Sequence, residues 1–400
     1  MNICLVTPYY RSNEFLNSGI ANYFYNLSEE LSKRGHKVVV LFVSERNIDV
    51  NSLKKLENNN IKIYYQHVSL PGFINYILKN RWAVKGFLIR FVSCFITYFK
   101  LNSIVKKHEI EIIETTSTNI LCIINILLKS DKPKYIVRVS TLHKQMYNEY
   151  YTFKSRLLNL LSYLEILMIN QSKYLITNTY THLDEISKII NIDKSRFKII
   201  NHGIEIPKLS NINLIKNDLN LRILFVGRFE YRKGFDLILK VIPKVLKYIK
   251  NCKFILVGTD VEKDFYNEEF VKLKEKYQDY IITPGVVSNE KLKDLYLNAD
   301  IVLAPSRYES FGLVYIEAMS YAKPLIALNT GSAVEIINKN NDGFLIENES
   351  VDNFSDLIIR LSKDKLYRNK IGQNARNNII NNYSNEKIVD ESINYYESII

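Results

Sequence analysis

The stretch IVLAPSRYESFGLVYIEAMSYAKPLIA, residues 301–327, reads as strand, turn, helix and strand in succession. IVLAPS (301–306) is a buried strand by its apolar run. FGLVYIEAMSYAKP (311–324) has the length of a helix that stops before Pro324, because a residue preceding proline is pushed out of the helical region. Pro324 to Ala327 forms the second strand. A strand, a crossover helix and another strand make one unit of a parallel sheet. The turn carries chemistry as well. A helix starting at Ser310 or Phe311 offers free backbone N–H groups and the positive end of its dipole to an anion, and Gly312 lets a ligand come close.

The same alternation runs outward from this unit. Upstream it places strands at 2–8, 37–43, 61–67, 110–114, 134–139, 173–178 and 198–200. The polar, irregular stretch NHGIEIPKLSNINLIKNDLN (201–220) then interrupts it as a linker, and strands resume at 222–226, 253–257, 280–283, 301–304, 324–327 and 343–346. Two doubly wound α/β domains in tandem follow: residues 1–204, and residues 205–383. In open parallel sheets ligands collect at the carboxyl ends of the strands, so two such sheets facing each other enclose a binding cleft.

Bulk composition fits this division. A chain of 400 residues is long for one core, and an apolar share of 47% lets two globular domains each bury a substantial one. Cys4, Cys94, Cys122 and Cys252 are scattered without a CxxC pair or a nearby His at ligand spacing, which points to neither a disulfide framework nor a zinc site. The start, MNICLVTPYY, runs straight into a strand with no basic leader, so a secretion signal is not expected. The net charge of +12 is uneven: residues 1–204 hold 27 Lys and Arg against 15 Asp and Glu, and residues 205–400 hold 27 against 27. The excess is sharpest between Asn58 and His108, where eight bases meet no acid.

LRILFVGRFEYRKGFDLIL (221–239) is a second strand-to-helix junction, with Arg228 and Lys233 beyond the strand-end Gly227. Two fixed cations five residues apart suit adjacent phosphates, each charge-assisted contact contributing about 1.5–3 kcal/mol; the bland alternative is a solvated basic turn. The junction is no dinucleotide fingerprint, since no two of the thirteen glycines lie two residues apart, and the GxxxxGK[ST] phosphate loop is absent. Nicotinamide enzymes and ordinary nucleotide triphosphatases lose most of their support. Glu309 precedes the helix anion site and Glu317 lies about two turns along that helix. One ligand with a sugar at each end of a diphosphate would occupy both carboxylates, whereas the bland alternative is that Glu317 decorates the helix surface.

Residues 305–327 resemble the E-x7-E signature of retaining GT-B glycosyltransferases, glycosyltransferase family 4, in the form PSxxESFGLxxxEAMxxxxPxIA. VGRFEYRKG (226–234) is similar to that family's diphosphate-binding G-R-(x)4-K-G segment, and TPGVVSNEKLKDLYLNADIVLAPS (283–306) to the part running from its base pocket to this helix. The resemblance implies a GT-B fold of two Rossmann-like domains and a donor that is a nucleoside diphosphate sugar, UDP-linked first and GDP-linked next. It implies that Arg228 and Lys233 hold the diphosphate, and that Ser310, Phe311, Gly312 and Leu313 present amides to the phosphate and donor sugar. Glu309 would bind that sugar, Glu317 the ribose, and Val286 and Val287 the base. In the first half, NSGIANYFYNLSEELSKRGHKVVV (17–40) resembles the acceptor-side loop and first helix, which puts Gly19 near the diphosphate, with Ser18 where many members have a second glycine. VRVSTLHKQMY (137–147) resembles the segment bearing the family's active-site His, here His143, followed by Lys144 in place of the usual Asp; the alternative is an ordinary loop histidine. IINHGIEIP (199–207) matches the interdomain segment with His202 where Asn is common, read as structural. In similar proteins the C-terminal segment, here 384–400, crosses back to the first domain as a helix. No metal or other cofactor is implied, and the acceptor would be a lipid-linked or growing bacterial surface glycan. A nucleotide-sugar 2-epimerase of the same fold and a catalytically silent nucleotide-sugar-binding scaffold are the alternatives.

The acid-free segment GFINYILKNRWAVKGFLIRFVSCFITYFKLNSIVKK (72–107) carries an apolar stripe at Val84, Phe87, Leu88, Phe91, Val92, Phe95 and Phe99, opposite Arg81, Lys85, Arg90 and Lys100. Interrupted by Arg90, the run falls short of the roughly 20 apolar residues of a membrane span. Two readings stand side by side: a helix lying on an anionic membrane, which places the protein in the cytoplasm at the inner face of the plasma membrane, or a core helix with a basic outer face. Nucleic acid is disfavoured as a partner, because the aromatics form a stripe and do not alternate with the bases.

Overall fold

The computed structural model describes residues 1–11, 19–79, 81–128, 132–145, 156–209, 220–260 and 267–400. They divide into two compact units, Met1–Gly203 with Asn385–Ile400, and Ile204–Ser384.

The first unit holds a parallel sheet of β1 (Asn2–Thr7), β2 (Lys37–Ser44), β3 (Ile61–His67), β4 (Ile112–Thr116), β5 (Lys134–Arg138), β6 (Tyr174–Thr177) and β7 (Phe197–Ile199), in the order β3-β2-β1-β4-β5-β6-β7. The strands are apolar nearly throughout because both faces are covered. Along β1, Cys4 and Val6 enter one core, while Ile3 and Leu5 enter the core on the other face. Strand β4 begins two residues later than its apolar run suggests. The helix Trp82–His108 ends with Glu109 in the left-handed region, and the Ile110 N–H donates back to the Val105 carbonyl, so these residues are spent on the helix terminus.

The second unit holds β8 (Leu221–Val226), β9 (Cys252–Val257), β10 (Ile281–Gly285), β11 (Ile301–Ala304), β12 (Leu325–Leu328) and β13 (Phe344–Ile346), all parallel, in the order β10-β9-β8-β11-β12-β13. Ile223 and Phe225 of β8 face one core, and Leu224 the other. In both sheets strand order reverses beside the first strand, between β1 and β4 and between β8 and β11. Crevices open at the carboxyl ends of such pairs.

The C-terminal helix Asn385–Glu397 belongs to the first unit, where Ile388, Val389 and Tyr396 are buried. The Tyr396 hydroxyl donates to Glu114, as does that of Tyr23 at 2.7 Å, and Arg138 Nε donates to the same carboxylate at 3.0 Å. Arg138 and Glu114 form a buried ion pair, and Nη1 of the guanidinium also donates to the Asn178 side chain and to the Ile200 carbonyl, while Nη2 has no hydrogen-bond partner among the described residues.

The helix Trp82–His108 corrects the sequence reading in two respects. Ile89, Cys94, Leu101 and Ile104 are its buried core residues, and Val84, Phe87, Leu88 and Val92 of the expected stripe pack against that core, whereas Phe91, Phe95 and Phe99 of the same stripe face solvent. Apolar residues occur around most of its circumference, so periodicity alone leaves the buried face undecided. Arg90 also does not shorten the run below spanning length: residues Ala83–His108 are long and apolar enough to cross a membrane by length and composition.

Candidate active site

The carboxyl ends of β8 and β11 bring two loops of the second unit together. After β8 the chain passes Gly227 and Arg228, makes one 3-10 turn at Tyr231–Lys233, and enters the helix Phe235–Tyr248 through Gly234 at φ 69°. A side chain at Gly234 would place Cβ 2.0 Å from the Pro305 carbonyl oxygen, so this position needs glycine for its backbone and for the contact. The Arg307 N–H donates to the Arg232 carbonyl at 2.8 Å, and Arg232 Nη1 donates to the Tyr308 carbonyl at 3.0 Å. Arg307 bolts the junction. Its guanidinium donates two bonds to Asp236 and two to Glu349, at 2.7–2.9 Å, and lies 3.6 Å from the Tyr231 ring centroid.

Between these loops runs a chain of alternating charges. Arg228 and Arg232 flank Glu230 at 3.0 and 2.8 Å; Arg232 lies 3.6 Å from Glu309; and Lys233 Nζ donates to Glu309. Ser306 Oγ also donates to Glu309, at 2.9 Å. Burial pushes the Glu309 carboxyl up, but Lys233 and Arg232 more than reverse this and hold it below the ordinary carboxylate range. Burial pulls the Lys233 ammonium below its ordinary value against the opposing pull of Glu309. Lys233 and Glu309, expected at different parts of one ligand, are thus paired with each other. Arg228 is the more open cation, its side chain 40% exposed.

The helix here is Leu313–Ser320, two or three residues shorter at its start than expected. Gly312 is its N-cap at φ 87°, and a Cβ there would lie 2.4 Å from the Tyr315 ring, so glycine is required by backbone and packing. No side chain caps this terminus, and Ser310 and Phe311 belong to the approach. Glu317 therefore sits about one turn into the helix. It accepts a hydrogen bond from the Tyr296 hydroxyl at 2.9 Å, and burial pushes its carboxyl up to about 7. Val286 and Val287 follow β10, whose last carbonyl, at Gly285, accepts from Gly258 N–H. Gly258 in turn stands against Gly227, where an added Cβ would meet the Gly227 oxygen at 1.8 Å. Val286 is exposed and Val287 packs against the core.

Gly19 and His143 belong to the first unit. Gly19 opens the helix Gly19–Lys33; Asn17 and Ser18 of the expected loop lie outside the described residues. His143 Nδ1 lies 3.0 Å from Glu165 Oε2, which also accepts from the His143 backbone N–H at 2.9 Å, while Ser117 Oγ donates to Glu165 Oε1 at 2.9 Å. The carboxylate assigns the ring proton to Nδ1. His182 is buried and His202 half-buried, and burial pushes the His182 ring down to about 3. Among the described residues no group of three or more His, Cys, Asp or Glu stands ready for a metal ion.

Arg232, Ser306, Arg307, Tyr296 and Glu165 escaped the sequence reading. Arg232 had a signal, since it adjoins Lys233 in a run of cations; the others act through partners 21 to 71 residues away in sequence or, for Ser306, through a serine that spacing does not mark.

The chain matches two family models: Glycosyltransferase Family 4 over residues 17–207, and Glycosyl transferases group 1 over residues 206–378. An uncharacterized glycosyltransferase of Methanocaldococcus jannaschii is 30% identical over 246 residues, 58% of this chain and 62% of that protein. The poly(ribitol-phosphate) alpha-N-acetylglucosaminyltransferase of Staphylococcus aureus is 29% identical over 178 residues, 43% of this chain and 34% of the relative. This chain thus spans less than two thirds of the length of these curated relatives. Among solved structures, sucrose-phosphate synthase of Thermosynechococcus elongatus superposes with a TM-score of 0.72 at 16% identity, covering 100% of this chain and 99% of that one. HepE of Anabaena in complex with UDP does so with 0.72 at 15% identity, covering 100% of each. These likenesses at low identity show the fold. With the two family models tiling residues 17–378 over two parallel-sheet domains, the chain belongs to the glycosyltransferases of the GT-B fold.

Proposed function

We propose that this protein is a retaining, family 4 hexosyltransferase that moves a hexose or N-acetylhexosamine from a nucleoside diphosphate sugar, UDP-linked in preference to GDP-linked, to a hydroxyl of a lipid-linked or growing bacterial surface glycan. The observation that carries the reading is the pairing of Lys233 and Arg232 with Glu309 directly before an uncapped helix start. Relatives named for capsular polysaccharide and amylovoran biosynthesis support the glycan acceptor, and a structural neighbour solved with UDP-glucose supports the donor.

In this reading the nucleoside diphosphate leaves the anomeric carbon, and Arg228, Lys233 and the backbone amides from Ser310 to Leu313 stabilise the charge that grows on it. Removing one preorganised group of this kind costs about 10²–10³ in rate. Charge neutralisation comes from these cations and amides, with no metal cofactor. Glu309 takes hydroxyls of the donor sugar, Glu317 those of the ribose, and Val286 and Val287 flank the base. Gly19 and His143 are the first domain's contributions. The acceptor hydroxyl attacks the face the diphosphate leaves, and a donor phosphate oxygen takes its proton. The protein works in the cytoplasm, peripheral to the inner face of the plasma membrane, through the acid-free helix Trp82–His108.

Thermal shift against UDP-, GDP- and ADP-sugars tests the donor. A bound ligand raises the melting temperature by mass action, and no shift with any of the three sinks the proposal. Product analysis with Glu309→Ala tests the chemistry: transfer falls at least about 10²-fold, whereas isomerised sugar released without any acceptor would identify an epimerase, and unchanged cellular function with Glu309→Ala a scaffold.

A further inference from the structure

The first domain has a small cavity of its own at the carboxyl ends of β1 and β2. Its volume is about 60 Å³, and it is lined by Tyr9 beyond β1, Arg46 beyond β2, Asn119 beyond β4, and Gly86, Arg90 and Ser93 from the helix Trp82–His108. It adjoins the point where strand order reverses in this sheet, where ligands of doubly wound folds collect.

Its walls are built to present positive charge. Arg90 Nε donates to the Asn119 side chain at 3.1 Å and Nη1 to the Gly86 carbonyl at 3.4 Å, so three of its five N–H groups have no partner among the described residues. The guanidinium lies back along its helix because position 86 carries no side chain: a Cβ there would stand 3.2 Å from Arg90 Nη1. Glycine in a helix interior costs about 1 kcal/mol relative to alanine. The backbone is strained beside the cavity, with Asn119 of the lining at φ 63° and its neighbour Ile120 at φ 50°. A β-branched residue rarely adopts that conformation, and such strain of about 1–3 kcal/mol per residue gathers at ligand clamps. Arg46 is exposed, and its guanidinium meets no described side chain. Glu45 is the one acid in the lining.

Room and charge together point to a small anion: about 60 Å³ is several times the roughly 10–15 Å³ that one water needs, so the cavity admits a phosphoryl group. A single arginine fork satisfies the two coplanar oxygens of a carboxylate, whereas guanidiniums from two separate walls suit the three oxygens of a phosphate. We propose that Arg46 and Arg90 hold a phosphate or diphosphate group of the acceptor, so that the enzyme selects a phosphorylated acceptor. This rests on the reading that the first domain takes the acceptor. The phosphate comes either from a lipid carrier or from a soluble sugar phosphate.

The test titrates the full chain, saturated with UDP so that the donor site is filled, with inorganic pyrophosphate and with geranyl diphosphate by calorimetry. Pyrophosphate is expected to bind, to weaken at least tenfold in Arg46→Gln/Arg90→Gln, and to change less than twofold in Arg228→Gln. Tighter geranyl diphosphate than pyrophosphate identifies a lipid source, and equal affinities a soluble one; both support the site. No pyrophosphate binding at 5 mM, or equal binding by the double variant, overturns it. If Arg90→Gln fails to fold, Arg46→Gln alone, on the surface, gives the same reading with at least a threefold loss. Should UDP itself not bind, the donor reading has failed, and pyrophosphate binding to Arg228→Gln still decides the first-domain site.

Discussion

At the scale of the residue, Glu317 is the group whose chemistry is most exposed to conditions. Its carboxyl is pushed up to about 7 by burial, so near neutrality it exists in both forms. In the proposed role of Glu317, ribose hydroxyls would donate to the carboxylate and favour it, so donor binding would expel a proton and affinity would rise with pH through about 7. Below that value the dissociation constant of UDP should grow by up to about tenfold per pH unit. Calorimetry at pH 5.5 and pH 8 checks this. Glu317→Gln is expected to flatten the dependence, and a wild-type affinity equal at both values would remove Glu317 from the ribose site. The acid limb is independent of Glu309, which is held ionised by Lys233 and Arg232.

At the scale of the element, the two loops beyond β8 and β11 act as one piece because Arg307 fastens them to each other and to Glu349. Arg307→Ala leaves two carboxylates without their cation. Breaking a fully buried pair costs about 3–5 kcal/mol, and since Glu349 is 42% exposed about 2–3 kcal/mol is expected here. Urea denaturation measures it; Arg307→Lys should recover only part, because an ammonium cannot make the forked bonds. None of this was legible from spacing. Asp236 and Glu349 lie 71 and 42 residues from Arg307, and nothing in a linear sequence ties them together. The strands were legible for the opposite reason: all thirteen announce themselves through local apolar runs, and the largest displacement, at β4, arises where a helix C-cap consumes residues that look like strand. The helix starts later than the sequence suggests because Gly312 stands at φ 87°, outside the helical region, and the space a Cβ would take there is filled by the Tyr315 ring, which the sequence alone leaves as room for a ligand. Glu309 and Lys233 were recognised as a set through the family pattern, yet their direct pairing needed coordinates.

At the scale of the whole molecule, charge is divided between the two halves of the chain, and the first half concentrates it along the helix Trp82–His108. Phe91, Phe95 and Phe99 are 49%, 46% and 69% exposed on that helix, each four residues from the next, and the acid-free segment before it exposes Phe73, Tyr76 and Ile77. Aromatic side chains above a field of cations match an anionic bilayer, each cation adding about 1 kcal/mol near the surface. The protein is expected to pellet with vesicles containing phosphatidylglycerol and to remain in the supernatant with phosphatidylcholine alone. Phe95→Ser/Phe99→Ser should lower the bound fraction several-fold. Equal pelleting with both vesicle types would contradict the electrostatic part of the reading.

The bond between Lys233 and Glu309 has a consequence for which anions the second domain admits. A tethered carboxylate competes for the ammonium at the high effective concentration of an intramolecular partner, whatever the solute outside. Free inorganic phosphate displaces it only at the expense of leaving a buried carboxylate deserted. A guest that brings both an anion for the lysine and hydroxyl donors for the abandoned glutamate leaves neither stranded, so in the proposed donor site this pair would discriminate against bare salts in favour of a sugar-linked phosphate.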